Sequence, residues 1–199
     1  MAPRPYNMQA RADSVAETRA RIVEAAKQLH AESGVVITSW EQIAERAGVA
    51  TATVYRHFPS VAELVTACAR SVFDLIEPPS PEDAAAKFAR LEAPEDRLEQ
   101  LVRDSCDCYA KGADWLHAAH RERDFVPELD TALLVMEDTL HVLVGAAFGS
   151  ALSDEDHEAL FVLCDFPFWW SLTNRGLPSG EVTQRIVRLV RTQAARCAG

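Results

Sequence analysis

The stretch that most constrains this chain is Ser39 to Phe58, SWEQIAERAGVATATVYRHF. Its apolar residues recur at helical spacing in two short runs separated by one glycine. Ser39, with Gln42 three residues on, has the form of a capping box that opens the first helix. Ile43, Ala44 and Ala47 give that helix a small apolar face. Gly48 stands where the chain must turn, and glycine reaches positive φ there without strain. A second helix then starts near Thr51, which is expected to act as the cap that Ala50 cannot provide. Val49, Val54 and Phe58 point back at the first helix. The opposite face carries Thr51, Thr53, Tyr55, Arg56 and His57, and no acid. A short helix held on its apolar side and offering donors outward suits a DNA major groove.

Taken with its flanks, the stretch resembles the helix-turn-helix of the tetracycline-repressor (TetR) family of bacterial transcription regulators. The residues that carry the resemblance are IAERAGV at 43–49, TATVYRHF at 51–58 and PSVAEL at 59–64. The resemblance implies a three-helix head, a connecting helix and a helical body that binds an effector. It also implies that the last two helices pack against their copies in a homodimer. Tyr55 and His57 are then expected on phosphates, and Thr51 and Thr53 on bases and nearby phosphates. Ala52 would allow close approach or touch a thymine methyl, and Arg56 and Ser39 join the same surface. Two positions depart from the family pattern. Val61 replaces the usual lysine after the cap of the connecting helix, and Ala50 replaces a capping serine.

Composition is compatible with this. The chain has 199 residues, 48% hydrophobic and 25% charged, the balance of an ordinary globular protein of one domain or two modest ones. No continuous run of about 18 apolar residues occurs, so no membrane span is expected. The N-terminal MAPRPYNMQARADS has no apolar core of the kind a secretory leader needs. The five cysteines, Cys68, Cys106, Cys108, Cys164 and Cys197, are odd in number and scattered, which suits free thiols in a reducing cytoplasm. The net charge of −10 is unevenly divided. Residues 1–58 hold seven basic and six acidic side chains, a net of +1, which leaves −11 on the remainder. Phosphate would repel the body and leave the head to approach it.

Along the chain, residues 1–13 read as a disordered arm bearing Arg4 and Arg11. The first helix is expected from Ser14 to Glu32, on Ile22, Ala25, Ala26 and Leu29, and ends at Gly34. A connecting helix follows Ser60, capped with Glu63 at its third position, with a stripe of Leu64, Cys68, Val72 and Leu75. Pro78, Pro79 and Pro81 mark a break. The expected division is a DNA-binding head at 14–60, a connecting helix at 61–78 and an effector and dimerisation domain at 79–199. Further helices are expected from Pro94 to Lys111, Asp114 to Arg123, Pro127 to Gly149, Ser153 to Asn174 and from Ser179 onward. Pro167 should kink the fourth of these. Strand-like alternation is absent after the head, so the expected fold is all-α with about nine helices.

Other constellations point less sharply. His117 and His120 share a helix face, but no third ligand follows at a diagnostic spacing, so no metal and no cofactor is expected. Cys106 and Cys108 leave a helix in different directions. Trp115, His117, Phe125, His141, Phe168 and Trp169 are candidates for the lining of an effector pocket, with core packing as the alternative for each. No nucleophile elbow and no glycine-rich phosphate loop is present, so a non-enzymatic chain is expected. The reading is a cytoplasmic, homodimeric, ligand-responsive regulator. It acts as a repressor that a small apolar or aromatic effector releases from a palindromic operator. Its rivals are an all-α enzyme with its site in the body, and a regulator that senses a partner protein or thiol oxidation.

Overall fold

The computed structural model describes residues 8–148 and 152–197, and every regular element among them is an α-helix. There are ten among the described residues: α1 (Met8–Ser33), α2 (Trp40–Ala47), α3 (Thr51–His57), α4 (Val61–Ile76), α5 (Pro81–Phe88), α6 (Pro94–Glu122), α7 (Pro127–Phe148), α8 (Asp154–Cys164), α9 (Phe166–Thr173) and α10 (Ser179–Cys197). The all-α expectation holds. The differences from the expected helices each have a local cause.

The first helix starts at Met8 rather than Ser14. Met, Gln, Ala and Arg at 8–11 are good helix formers, so the arm reading fails for residues 8–13. Arg4 and the side chain of Arg11 lie outside the described residues. The proline-rich break contains a helix that the sequence reading did not place. Ser80 Oγ accepts the Asp83 N–H at 3.1 Å and Pro81 opens α5, so the prolines start a helix as well as ending one. In α4 the inward stripe closes with Ile76, fully buried, while Leu75 is half exposed.

Gly112 does not separate two helices. It leaves one non-helical residue, φ −124° and ψ 19°, inside a continuous α6. A Cβ at Gly112 would stand 2.7 Å from Ile76 Cγ2, so the kink admits the end of α4. The helix expected from Ser153 to Asn174 is instead two. Asp165 is extended, with ψ 157°, and its carboxylate accepts the Phe166 N–H at 2.7 Å. Pro167 falls in the first turn of α9, where a missing N–H is harmless, so it begins a helix rather than bending one.

In the body, α6 packs against α7 and α10, and α8 closes the bundle between those two. α9 lies on α6, where Phe166 and Trp169 pack at 5.5 Å and 5.8 Å from the Tyr109 ring. The Tyr109 hydroxyl donates to the Cys164 carbonyl at 3.0 Å, which satisfies a buried polar group. α4 joins head to body by packing on α1, α6 and α7. α7 is long and apolar enough to cross a membrane by length and composition, although no continuous apolar run marks it. Here it packs against α4, α5, α6 and α8, with Leu133, Leu140, Leu143 and Val144 buried.

Candidate functional site

The head is assembled around α2 and α3. Ser39 Oγ accepts the Gln42 N–H at 3.2 Å and Gln42 Oε1 accepts the Ser39 N–H at 2.8 Å, the expected capping box. α2 ends at Gly48, φ 65° and ψ 40°, with the Val49 N–H turned back to the Ala44 carbonyl at 3.0 Å. Arg46 pairs with Glu32 at 2.5 Å and ties α2 to α1. At the start of α3 the cap position is Ala50, which makes no side-chain bond, so the cap expected of Thr51 is not formed. The helix is held by its other parts instead. Val54 and Phe58 are fully buried, and Arg19 of α1 donates Nη1 to the His57 carbonyl at 2.8 Å. The same guanidinium lies 4.0 Å over the Phe58 ring, a cation–π contact. Arg19 is 38 residues from His57 in sequence, and no local pattern announces it.

This arrangement turns one face of α3 outward. Ala52, Tyr55 and Arg56 are exposed, while Thr51, Thr53 and His57 are half-buried. Trp40, at the start of α2, is half-buried with its ring centroid 4.9 Å from that of Tyr55, so the tyrosine is braced rather than free. The His57 pKa is lowered by burial first, then by the positive charges of Arg56 and Arg19. The face carries hydroxyls, an imidazole and a guanidinium, and no carboxylate. It can donate to an anionic, acceptor-rich surface.

The six effector candidates are spread through the body. Trp115 and Trp169 are buried, and Phe168 is half-buried. His117 stacks on Trp170 at 4.4 Å and His141 stacks on Phe161 at 3.8 Å. Phe125, between α6 and α7, is 75% exposed. None of the six lines the cavity between α4, α6 and α7. Its walls include Phe73, Pro79, Ser105, Cys108, Tyr109 and Met136, and its volume is about 70 Å³. His120 stacks on Phe166 at 5.0 Å, and burial pulls its pKa down to about 4. Among the described residues no group of three His, Cys, Asp or Glu could hold a metal ion.

All five cysteines are free thiols. Burial pushes Cys68, Cys108 and Cys164 up to about 12 and Cys106 to about 11, which removes the thiolate that oxidation requires.

The site is a two-helix reading unit on an all-α body, and residues 22–68 match the family described as bacterial regulatory proteins, tetR family. Over that stretch the chain is similar to that family. It is 38% identical over 85 residues to the "Probable HTH-type transcriptional regulator ArpR" of Pseudomonas putida, a match that covers 43% of this chain and 36% of that protein. It is 45% identical over 58 residues to the HTH-type transcriptional regulator TtgR, also of Pseudomonas putida, covering 29% of this chain and 28% of that protein. These matches therefore span about a third of the length of the curated relatives. The fold is similar to that of the transcriptional regulator FadR of Bacillus subtilis in complex with stearoyl-CoA. There the TM-score is 0.64 at 14% identity, over 87% of this chain and 98% of that one.

Proposed function

We propose that this protein is a cytoplasmic, homodimeric repressor whose α3 reads a palindromic DNA operator and whose body binds a small effector that releases it. The observation that carries the reading is the outward face of α3. Its core side is closed by Val54 and Phe58, and its outer side has donors at Thr51, Thr53, Tyr55, Arg56 and His57 and no acid. Ser39 is engaged in its capping box through both its N–H and its Oγ, so its part in the surface is to fix the start of α2. The head spans 14–60, the connecting helix 61–78, and the effector and dimerisation body 79–199.

The dimer reading is supported by the outer faces of α8 and α10. α8 turns Asp154, Glu155 and Glu158 outward beside Val162, which is 49% exposed. α10 turns Arg185, Arg188 and Arg196 outward beside Leu189, which is 45% exposed. A twofold axis that lays α8 on the partner's α10 pairs opposite charges and covers both apolar residues. The effector reading is supported by the apolar cavity between α4, α6 and α7. At about 70 Å³ it is smaller than the roughly 300 Å³ of ordinary ligand pockets. An occupant must therefore spread its walls, one of which is the connecting helix. Trp115, His117, Phe125, His141, Phe168 and Trp169 are then packing and surface residues around that event rather than its lining. No residue is assigned a catalytic part.

The test is a titration of full-length protein against sequences selected from a random duplex pool, at two salt concentrations, with Tyr55→Ala alongside. A selected palindrome bound by two protomers, weakened by salt and by the substitution, supports the reading. A pool that yields no preferred sequence overturns it.

A further inference from the structure

Head and body touch at a second place besides α4. α6 lines the cavity with Ser105, Cys108 and Tyr109, kinks at Gly112 against Ile76, and runs ten residues further to Glu122. That last stretch is a rod of about 15 Å. At its end Glu122 is buried, and its Oε2 accepts the Val35 N–H at 2.6 Å and the Val36 N–H at 3.1 Å. Arg121, one residue earlier, donates Nη2 to the Ser33 carbonyl at 3.4 Å.

The corner between α1 and α2 is shaped around this carboxyl group. Gly34 has φ +100°, and a Cβ there would collide with Glu122 Oε1. The Thr38 hydroxyl closes the corner by donating to the Gly34 carbonyl. His30, in the last turn of α1, is buried near Glu122 and stays neutral, its pKa pulled down to about 4 by burial. Ser39 follows the corner at once and caps α2, and α2 carries α3. Displacement of the α6 end therefore passes through the two amides to the reading helix without crossing α4.

We propose that Glu122 is the positioning residue that sets the direction of α3, because its grip on the Val35 and Val36 amides makes the α6 segment beyond Gly112 a connecting rod from cavity wall to head. This rests on the DNA-reading proposal above. A rod of this kind decides whether the two heads of a dimer stand at the operator spacing. It leaves each head's own fit to a half-site unchanged. Its loss therefore appears in the gain from binding both half-sites together.

The experiment uses the full-length protein as wild type, Glu122→Ala and Glu122→Gln. Affinities are measured for the selected palindrome, for a duplex bearing one half-site, and for palindromes with one base pair added or removed at the centre. Amide exchange of Val35, Val36 and Val54 is followed in the same three proteins. For Glu122→Ala the expected result has four parts: palindrome affinity falls about tenfold or more, half-site affinity is kept, discrimination against the altered spacings is relaxed, and exchange is faster at Val35 and Val36 while Val54 is unchanged. Glu122→Gln, which retains an acceptor oxygen, falls between. An equal fall for palindrome and half-site, with Val54 exchanging faster, marks a merely structural role and overturns the proposal, as does no change in either affinity. If wild type selects no DNA sequence at all, the DNA reading fails by itself. The clamp is then judged by exchange alone: faster Val35 and Val36 in Glu122→Ala sustains it, and unchanged rates overturn it.

Discussion

In the head, α2 and α3 meet at Gly48, where a left-handed residue turns the chain and leaves the outer face of α3 polar and open. In the body, α8 and α9 meet at Asp165, where an extended residue turns the chain and Phe166 and Trp169 are driven inward onto Tyr109. Both junctions are breaks of one or a few residues between short helices. They differ in what the turn presents. The glycine turn needs no side chain of its own, so its surroundings are free to face outward. The aspartate turn uses its carboxylate as a cap and is itself half-buried, and burial raises its pKa to about 6. A break in a helical chain can therefore display a surface or consolidate a core, and the residue at the break decides which.

Four measurements would break or sharpen that contrast. The largest effects come from truncating the aromatic that each junction leans on. Phe58 is fully buried and Phe166 is 2% exposed, so Phe58→Ala and Phe166→Ala should each cost about 3–5 kcal/mol in thermal or urea unfolding. Only Phe58→Ala should also abolish binding to the selected DNA at temperatures where the far-ultraviolet signal persists. Loss of DNA binding in both at equal residual stability would erase the distinction between display and consolidation.

The next effect is on pH. His30 in the head has its folded pKa lowered from 6.5 to about 4 by burial, so the unfolded chain binds its proton first on acidification. Its contribution is present above pH 6.5 and is lost as pH falls towards 4, by about 2 kcal/mol between pH 7 and 5. Asp165 in the body has its folded pKa raised from 3.8 to about 6, so its contribution is present below 3.8 and lost as pH rises through 6. Between pH 7 and 5 it opposes His30 by about 1 kcal/mol. Melting at the two pH values should show a net loss on acidification in wild type, a flatter response in His30→Leu and a steeper one in Asp165→Asn. A wild type that gains stability on acidification would contradict the assignment.

Smaller still, Ser39→Ala removes the acceptor of the capping box and should lower stability by about 1 kcal/mol in urea unfolding. Tyr55→Ala should change stability by no more than about 0.5 kcal/mol, because the side chain is 47% exposed, yet weaken DNA binding about tenfold. A stability loss as large as that of Ser39→Ala would mean that the Trp40–Tyr55 contact supports the fold instead of aiming the phenol.

The head was legible because its determinants are local. Ser39 and Gln42 are three residues apart, Gly48 terminates a visible apolar run, and Val54 and Phe58 recur at helical spacing. What was missed in the head acts over distance: Arg19 on His57 and Glu122 on Val35 join residues 38 and 87 apart. The body was legible in its helix periods and less so in its joints. In the sequence Pro81 and Pro167 look like interruptions, although a proline is equally at home in a first turn, and Ser80 and Asp165 supply the caps that make it so. The candidate lining was chosen for aromatic character. In the structure His117, His141 and Trp169 pack on rings outside that set, Trp170, Phe161 and Phe166, while the cavity between α4, α6 and α7 is bounded by ordinary residues such as Ser105, Cys108 and Met136 that nothing in the sequence marks.

The missing side-chain cap of α3 has a wider consequence. Seven residues with no capping bond at their start are too few to stand as a helix alone, so the shape of α3 is imposed by Val54, Phe58 and Arg19 from within. Thr51, Ala52, Thr53, Arg56 and His57 then do little to maintain that shape. Their identities can be exchanged while the scaffold stays the same, which leaves the chain's choice of target open to revision one side chain at a time.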